Sequence, residues 1–138
     1  MRINDEWYPC DDGFIRPTLV GRVRTGQGRM ISVRFLIDTG ADWTTFAPTV
    51  VRRLRTTLEP SAFDLIGIGG LRTASAITTL IKFPCDGNVT ATMHGTFGAL
   101  TEPGSLDMSI LGRDELNNFA VILDRQNDIV ALINQRHR

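Results

Sequence analysis

Phe35-Leu36-Ile37-Asp38-Thr39-Gly40-Ala41-Asp42 is the stretch on which the reading of this chain turns. Its apolar run, Phe35 to Ile37, predicts a short buried strand. The run leads straight into an acid. A carboxylate at the end of a buried strand is costly to desolvate unless it is paired or put to use. Gly40 permits a tight turn and the close approach of another segment of backbone. Thr39 sets a hydroxyl, donor and acceptor both, beside the carboxylate.

Working outward, Thr18 to Arg24 reads as a strand, Thr25-Gly26-Gln27-Gly28 as a turn, and Met30 to Ile37 as the returning strand, so a hairpin delivers Asp38. Trp43-Thr44-Thr45-Phe46 predicts another short strand. From Ala47 to Leu58 the period changes. Pro48 suits a first helical position, and Val50, Val51, Leu54 and Leu58 recur at helical spacing, with Arg52, Arg53 and Arg55 on the solvated side. The spacing predicts an amphipathic helix of about three turns. Phe63 to Ser75 follows, two β-rich arms around the glycine-rich tip Ile66-Gly67-Ile68-Gly69-Gly70. This tip fits neither the dinucleotide nor the Walker phosphate-loop spacing. Strands are predicted over Ala76–Phe83 and Val89–Leu100, with a long loop from Thr101 to Ser109. Then comes Ser109-Ile110-Leu111-Gly112-Arg113-Asp114, opening a helix from Asp114 to Phe119, where an acid is favourable in the first turn. Ala120–Asp124 and Ile129–Ile133 form a terminal hairpin.

Asp38-Thr39-Gly40-Ala41-Asp42 with its apolar lead-in resembles the active-site signature of the retropepsins, the single-lobe retroviral type of aspartic peptidase. Ile110-Leu111-Gly112-Arg113-Asp114 resembles that family's second marker, and the Ile66 to Gly70 tip its flap. The resemblance spans roughly Arg16 to Ile133. It implies an all-β closed barrel of the acid-protease fold with one or two short helices and a flap hairpin, acting as a homodimer with the active site at the two-fold. It implies that Asp38, Thr39 and Gly40 are catalytic. Ala41, Asp42, Ile66, Gly67, Ile68, Gly69, Gly70 and Ile110 would contact substrate, and Leu36 and Leu71 would border its pockets. Arg113 would form an ion pair with Asp42, with Asp114 in support. The substrate would be a polypeptide. Only one Asp-Thr-Gly is present, so the second carboxylate must come from a second chain. The terminal hairpin, its last strand especially, would make the dimer contact.

Composition sets the remaining bounds. The 138 residues, 42% hydrophobic and 22% charged, suit one soluble domain. We expect a loosely held N-terminal arm over residues 1–13 and a single domain over 14–138. Lys+Arg and Asp+Glu both number 15, which argues against nucleic-acid or membrane-surface binding driven by bulk charge. No apolar run is long enough for a membrane span, and the first residues lack a signal-peptide core, so a cytoplasmic location is expected. Cys10 and Cys85 are expected as free thiols. No Cys/His cluster has metal-ligand spacing, and neither metal nor cofactor is expected. The alternatives are the same fold serving as a dimerisation or peptide-binding module with little or no hydrolysis, or a barrel that only binds.

Overall fold

The computed structural model describes residues 1–67 and 70–134, and the side chains of 61–74 lie outside the description. Among the described residues the chain runs β1 (Arg2–Asp5), β2 (Trp7–Pro9), β3 (Ile15–Arg24), β4 (Met30–Ile37), β5 (Thr45–Phe46), α1 (Pro48–Leu54), β6 (Glu59–Gly67), β7 (Gly70–Cys85), β8 (Val89–Ala99), β9 (Ser109–Leu111), α2 (Arg113–Leu116), β10 (Ala120–Asp124) and β11 (Ile129–Ile133). The protein is all-β but for the two short helices. Neither helix is long and apolar enough to cross a membrane.

The large sheet has the order β2-β3-β4-β9-β5-β8-β7-β6, and β3 also pairs with β7 through Arg22↔Lys82 and Val23↔Ile81. That short seam closes β3, β4, β9, β5, β8 and β7 into a barrel, leaving β2 and β6 as extensions. Alternation fills it: Leu19, Val23, Val33, Phe35, Ile77, Ile81, Phe83 and Phe97 are all buried, as period-two side-chain placement requires. Phe35 lies 6.1 Å from Phe46 and 5.9 Å from Phe83, and Phe46 lies 5.8 Å from Phe97, ring centre to ring centre. Phe35 and Phe46 flank the Asp38 loop in sequence. This cluster therefore anchors both stems of the loop in the core, in the tilted and edge-on geometries aromatic rings prefer.

Several expectations are corrected. Residues 1–13 are not a loose arm. β1 pairs with β11 at the other end of the chain (Ile3↔Leu132), Ile3 is buried, and β2 pairs with β3. Two of its acids are tied down. Asp5 accepts the Val20 N–H at 2.9 Å, and Asp12 grips the Arg16 fork at 2.8 and 2.7 Å. The Trp7 indole N–H lies 3.1 Å from the Asp124 carbonyl and 3.2 Å from that of Ile129. α1 stops at Leu54, short of the expected Leu58, because Arg55 turns left-handed (φ 47°) and the Leu54 carbonyl is taken by the Gly26 N–H at 2.8 Å. Leu58 is exposed. α2 starts one residue earlier than expected and ends at Leu116. The last strand, β11, is central to a three-stranded sheet β1-β11-β10 with Val130, Ala131 and Leu132 fully buried. Both its edges are already paired within the chain, so it offers no open edge to a second copy.

Candidate active site

Asp38 stands where two distant parts of the chain cross. β4 runs parallel to β9 through Phe35↔Ser109, Leu36↔Ile110 and Ile37↔Leu111. The Asp38 N–H extends that ladder to the Leu111 carbonyl at 3.1 Å. The chain then turns over β9 and returns on its other side, where Thr45 of β5 pairs with Ile110. β9 is thus threaded between the two stems of the loop that carries Asp38.

Within the loop, Asp38 Oδ1 accepts the Gly40 N–H at 3.0 Å, and the Asp38 carbonyl accepts the Ala41 N–H at 3.2 Å. These contacts fix the carboxylate by its own turn. Asp38 is half-buried, whereas Thr39 and Gly40 are exposed beside it.

The loop is locked from behind. Arg113 N–H donates to the Ala41 carbonyl at 2.8 Å and Asp114 N–H to the Asp42 carbonyl at 3.1 Å. The Arg113 guanidinium forms an ion pair with the Asp42 carboxylate. Both side chains are substantially exposed, so the pair orients more than it stabilises. The buried lock is Thr44. Its hydroxyl donates to Asp114 Oδ1 at 2.8 Å and accepts the Gly112 N–H at 3.1 Å, and its own N–H reaches the same Asp114 oxygen at 2.9 Å. Asp114 also accepts the Glu115 N–H at 3.0 Å. Gly112 is required for space. A Cβ there would sit 2.6 Å from the Trp43 carbonyl carbon and 2.9 Å from Thr44 N. Glu115 lies next to this acid. Burial, and secondarily the Asp114 charge, push its carboxyl up to about 7.

The structure therefore brings together Asp38, Thr39, Gly40, Ala41, Asp42, Ile110, Arg113 and Asp114. Ile66, Gly67 and Gly70 lie at the end of the β6–β7 hairpin, with Ile66↔Leu71 and Gly67↔Gly70 paired. Ile68 and Gly69 fall outside the described residues. Among the described residues no backbone–backbone hydrogen bond joins that hairpin to the Asp38 loop. Sequence reasoning missed Thr44 as the buried lock, because nothing in its spacing announces a partner at Asp114. It also missed a cleft of about 630 Å³ floored by Leu36, Leu106 and Met108 and walled by the N-terminal Tyr8, Asp11 and Asp12. No three His, Cys, Asp or Glu side chains among the described residues are grouped to hold a metal ion.

The structure is similar to a retropepsin-like aspartic protease from Rickettsia conorii, with a TM-score of 0.60 and 18% identity, covering 96% of this chain and 91% of that one. It is also similar to the EIAV protease complexed with the inhibitor HBY-793, with a TM-score of 0.53 and 22% identity, covering 74% of this chain and 86% of that one. No protein-family model matches the sequence, and no curated protein does. The threaded Asp38 loop, the closed barrel and these likenesses together give the chain the fold of the retropepsin-like aspartic proteases.

Proposed function

We propose that the chain is an aspartic endopeptidase whose centre is completed by the Asp38 carboxylates of two identical subunits. The observation that carries this reading is the treatment of Asp38. A half-buried carboxylate is held by its own turn, on a loop pinned by Arg113, Asp114 and Thr44, with the exposed Thr39 beside it. Rigid placement of that kind suits a reacting group.

Two carboxylates brought close cannot both ionise, so the pair shares one proton. The ionised Asp38 takes a proton from a water molecule as the water oxygen attacks the substrate carbonyl carbon. The protonated Asp38 gives its proton to the carbonyl oxygen. The resulting gem-diol collapses, a proton passes to the amide nitrogen, and the C–N bond breaks. Thr39 of each subunit braces the base of the site. The Ile66–Gly70 hairpin acts as a flap over an extended polypeptide, and Leu36 in the cleft favours apolar side chains near the cut. No metal or cofactor takes part in these steps.

The test is hydrolysis of a mixed peptide library by wild type and Asp38→Asn between about pH 4 and 7, across a dilution series. Cleavage that vanishes in the variant and falls on dilution supports the reading. Absence of cleavage where sedimentation shows dimer would move the fold to a dimerisation or peptide-binding module. Specific activity that stays flat far below the dimer constant would refute the shared centre.

A further inference from the structure

The cleft beside Leu36 has a floor and walls of opposite character. Its floor, Leu36, Leu106 and Met108, is apolar and half-buried. Its walls carry the carboxylates of Asp11, Asp12 and Asp107 against the single guanidinium of Arg16. The whole chain balances 15 basic residues with 15 acidic ones, so the excess of negative charge belongs to the cleft. At about 630 Å³ the cleft has the size of a ligand site. An apolar bed with a few convergent polar groups is the usual lining of one.

The wall residues are already divided between holding the chain's own arginines and standing free. Asp12 is occupied by Arg16, whose fork it holds at 2.8 and 2.7 Å. That contact, and after it the Phe14 N–H, keeps the Asp12 carboxyl down at about 2. The Tyr8 ring carries the Arg34 guanidinium 3.7 Å from its centre, and Arg34 also donates to Thr18 Oγ1 at 2.9 Å, outside the lining. One arginine is thus held by a carboxylate of the wall and one by its aromatic face. Asp11, from the turn after β2, and Asp107, from the loop before β9, are exposed. Among the described residues neither has a hydrogen-bond or ion-pair partner.

We infer that this cleft is a substrate subsite for a lysine or arginine side chain, its methylene stem laid on Leu36, Leu106 and Met108 and its cationic head drawn to Asp11 and Asp107. The inference deepens the peptidase reading and rests on it. Long basic side chains bury their stems on apolar surface and keep the charged head near water. An apolar floor beneath exposed acids offers both. The apolar contact with Leu36 then belongs to the stem. An aliphatic side chain would use the floor alone, and an acidic one would meet two uncompensated carboxylates. Leu36 precedes Asp38 by two residues, about 7 Å of extended chain, so the basic residue falls within about three positions of the scissile bond.

Fluorescent peptides identical but for lysine, norleucine or glutamate at one position, scanned along the sequence, test this. Norleucine has the stem of lysine without its charge. Cleavage is measured with wild type and with Asp11→Asn/Asp107→Asn and Asp11→Lys/Asp107→Lys, and binding to Asp38→Asn by anisotropy. Circular dichroism confirms that each variant folds. Exposed ion pairs are individually weak, so at one position wild type should favour lysine over norleucine by about fivefold in kcat/KM, with glutamate least. The preference should lie in KM and shrink in about 1 M salt. The asparagine variant should bring lysine and norleucine level, and the lysine variant should favour glutamate over lysine. A lysine preference that the asparagine variant retains overturns the assignment to Asp11 and Asp107. Equal cleavage of the three peptides at every position overturns the subsite while the peptidase reading stands. Selective binding of lysine peptides to Asp38→Asn, without cleavage by wild type, supports the subsite and removes the peptidase reading. Neither cleavage nor selective binding overturns both.

Discussion

Gly112→Ala isolates the crossing that places Asp38. Gly112 has φ −98° and ψ −177°, a backbone that alanine adopts freely, so the substitution probes space alone. The added methyl would meet the Trp43 carbonyl carbon at 2.6 Å, its oxygen at 2.8 Å and Thr44 N at 2.9 Å. These are backbone atoms of the returning stem, and no rotamer change can move them aside. Overpacking a filled site costs typically 1–3 kcal/mol, and opposing backbone puts this case at the upper end. If the stems separate to relieve the clash, the buried bond from Gly112 N–H to Thr44 Oγ1 is lost for about 1 kcal/mol more. We expect a loss of about 3 kcal/mol, which for a chain of this length lowers Tm by about 10 °C. Urea unfolding followed by tryptophan fluorescence is the assay, since Trp43 lies at the clash. Gly95→Ala is the control, because its methyl would sit 3.6 Å from the Phe97 ring, in ordinary contact, and should change stability by less than about 0.5 kcal/mol. If Gly112→Ala behaves like that control, the two stems are not packed as described and the account of how Asp38 is held fails.

Thr44→Val keeps the shape of a fully buried side chain but strands the Gly112 N–H and removes the donor to Asp114. It should cost about 2–3 kcal/mol in urea unfolding, and a neutral result would show that the hydroxyl is not a lock. Glu115→Gln tests the carboxyl raised from 4.5 to about 7. A raised acid binds its proton more tightly when folded, so its unfavourable contribution is absent below about pH 4.5, grows as pH rises, and is complete above about pH 7. Unfolding of wild type and variant from pH 4 to 8 should show Glu115→Gln more stable above pH 7 by about 1–2 kcal/mol, after allowing for partial exposure. Parallel stability profiles across that range would refute the assignment.

Much of the setting of the Asp38 loop could be read in the sequence because it is encoded locally. The apolar run before Asp38 and the Gly112-Arg113-Asp114 string each occupy consecutive positions, and their resemblance to one family linked them before any contact was known. What escaped was encoded at a distance. α1 ends where it does because Gly26, in a turn well upstream, takes the Leu54 carbonyl, and no helical periodicity contains that event. β1 has one buried apolar residue among polar ones, too weak a pattern to read as a strand until β11 is set beside it. Thr44 reads as an ordinary strand residue, and only the threading of β9 brings Asp114 to it. The N-terminal wall of the cleft was hidden likewise, since acidity alone gives no hint that Asp11 and Asp12 stand opposite Leu36.

The pairing of β1 with β11 also governs the order in which the molecule can be assembled. Arg2 to Asp5 leave the ribosome well before their partners Val130 to Ile133. Until β11 is made, Ile3 lacks the strand it pairs with. The β4–β9 ladder beneath Asp38 waits in the same way for Ser109 to Leu111. Contacts so far apart along the chain make folding slow and leave little native structure to accumulate from the first residues onward. The carboxylate-bearing loop thus lacks the contacts that pin it until residues 111–114 have been made, and a shorter nascent chain carries Asp38 on an unlocked loop.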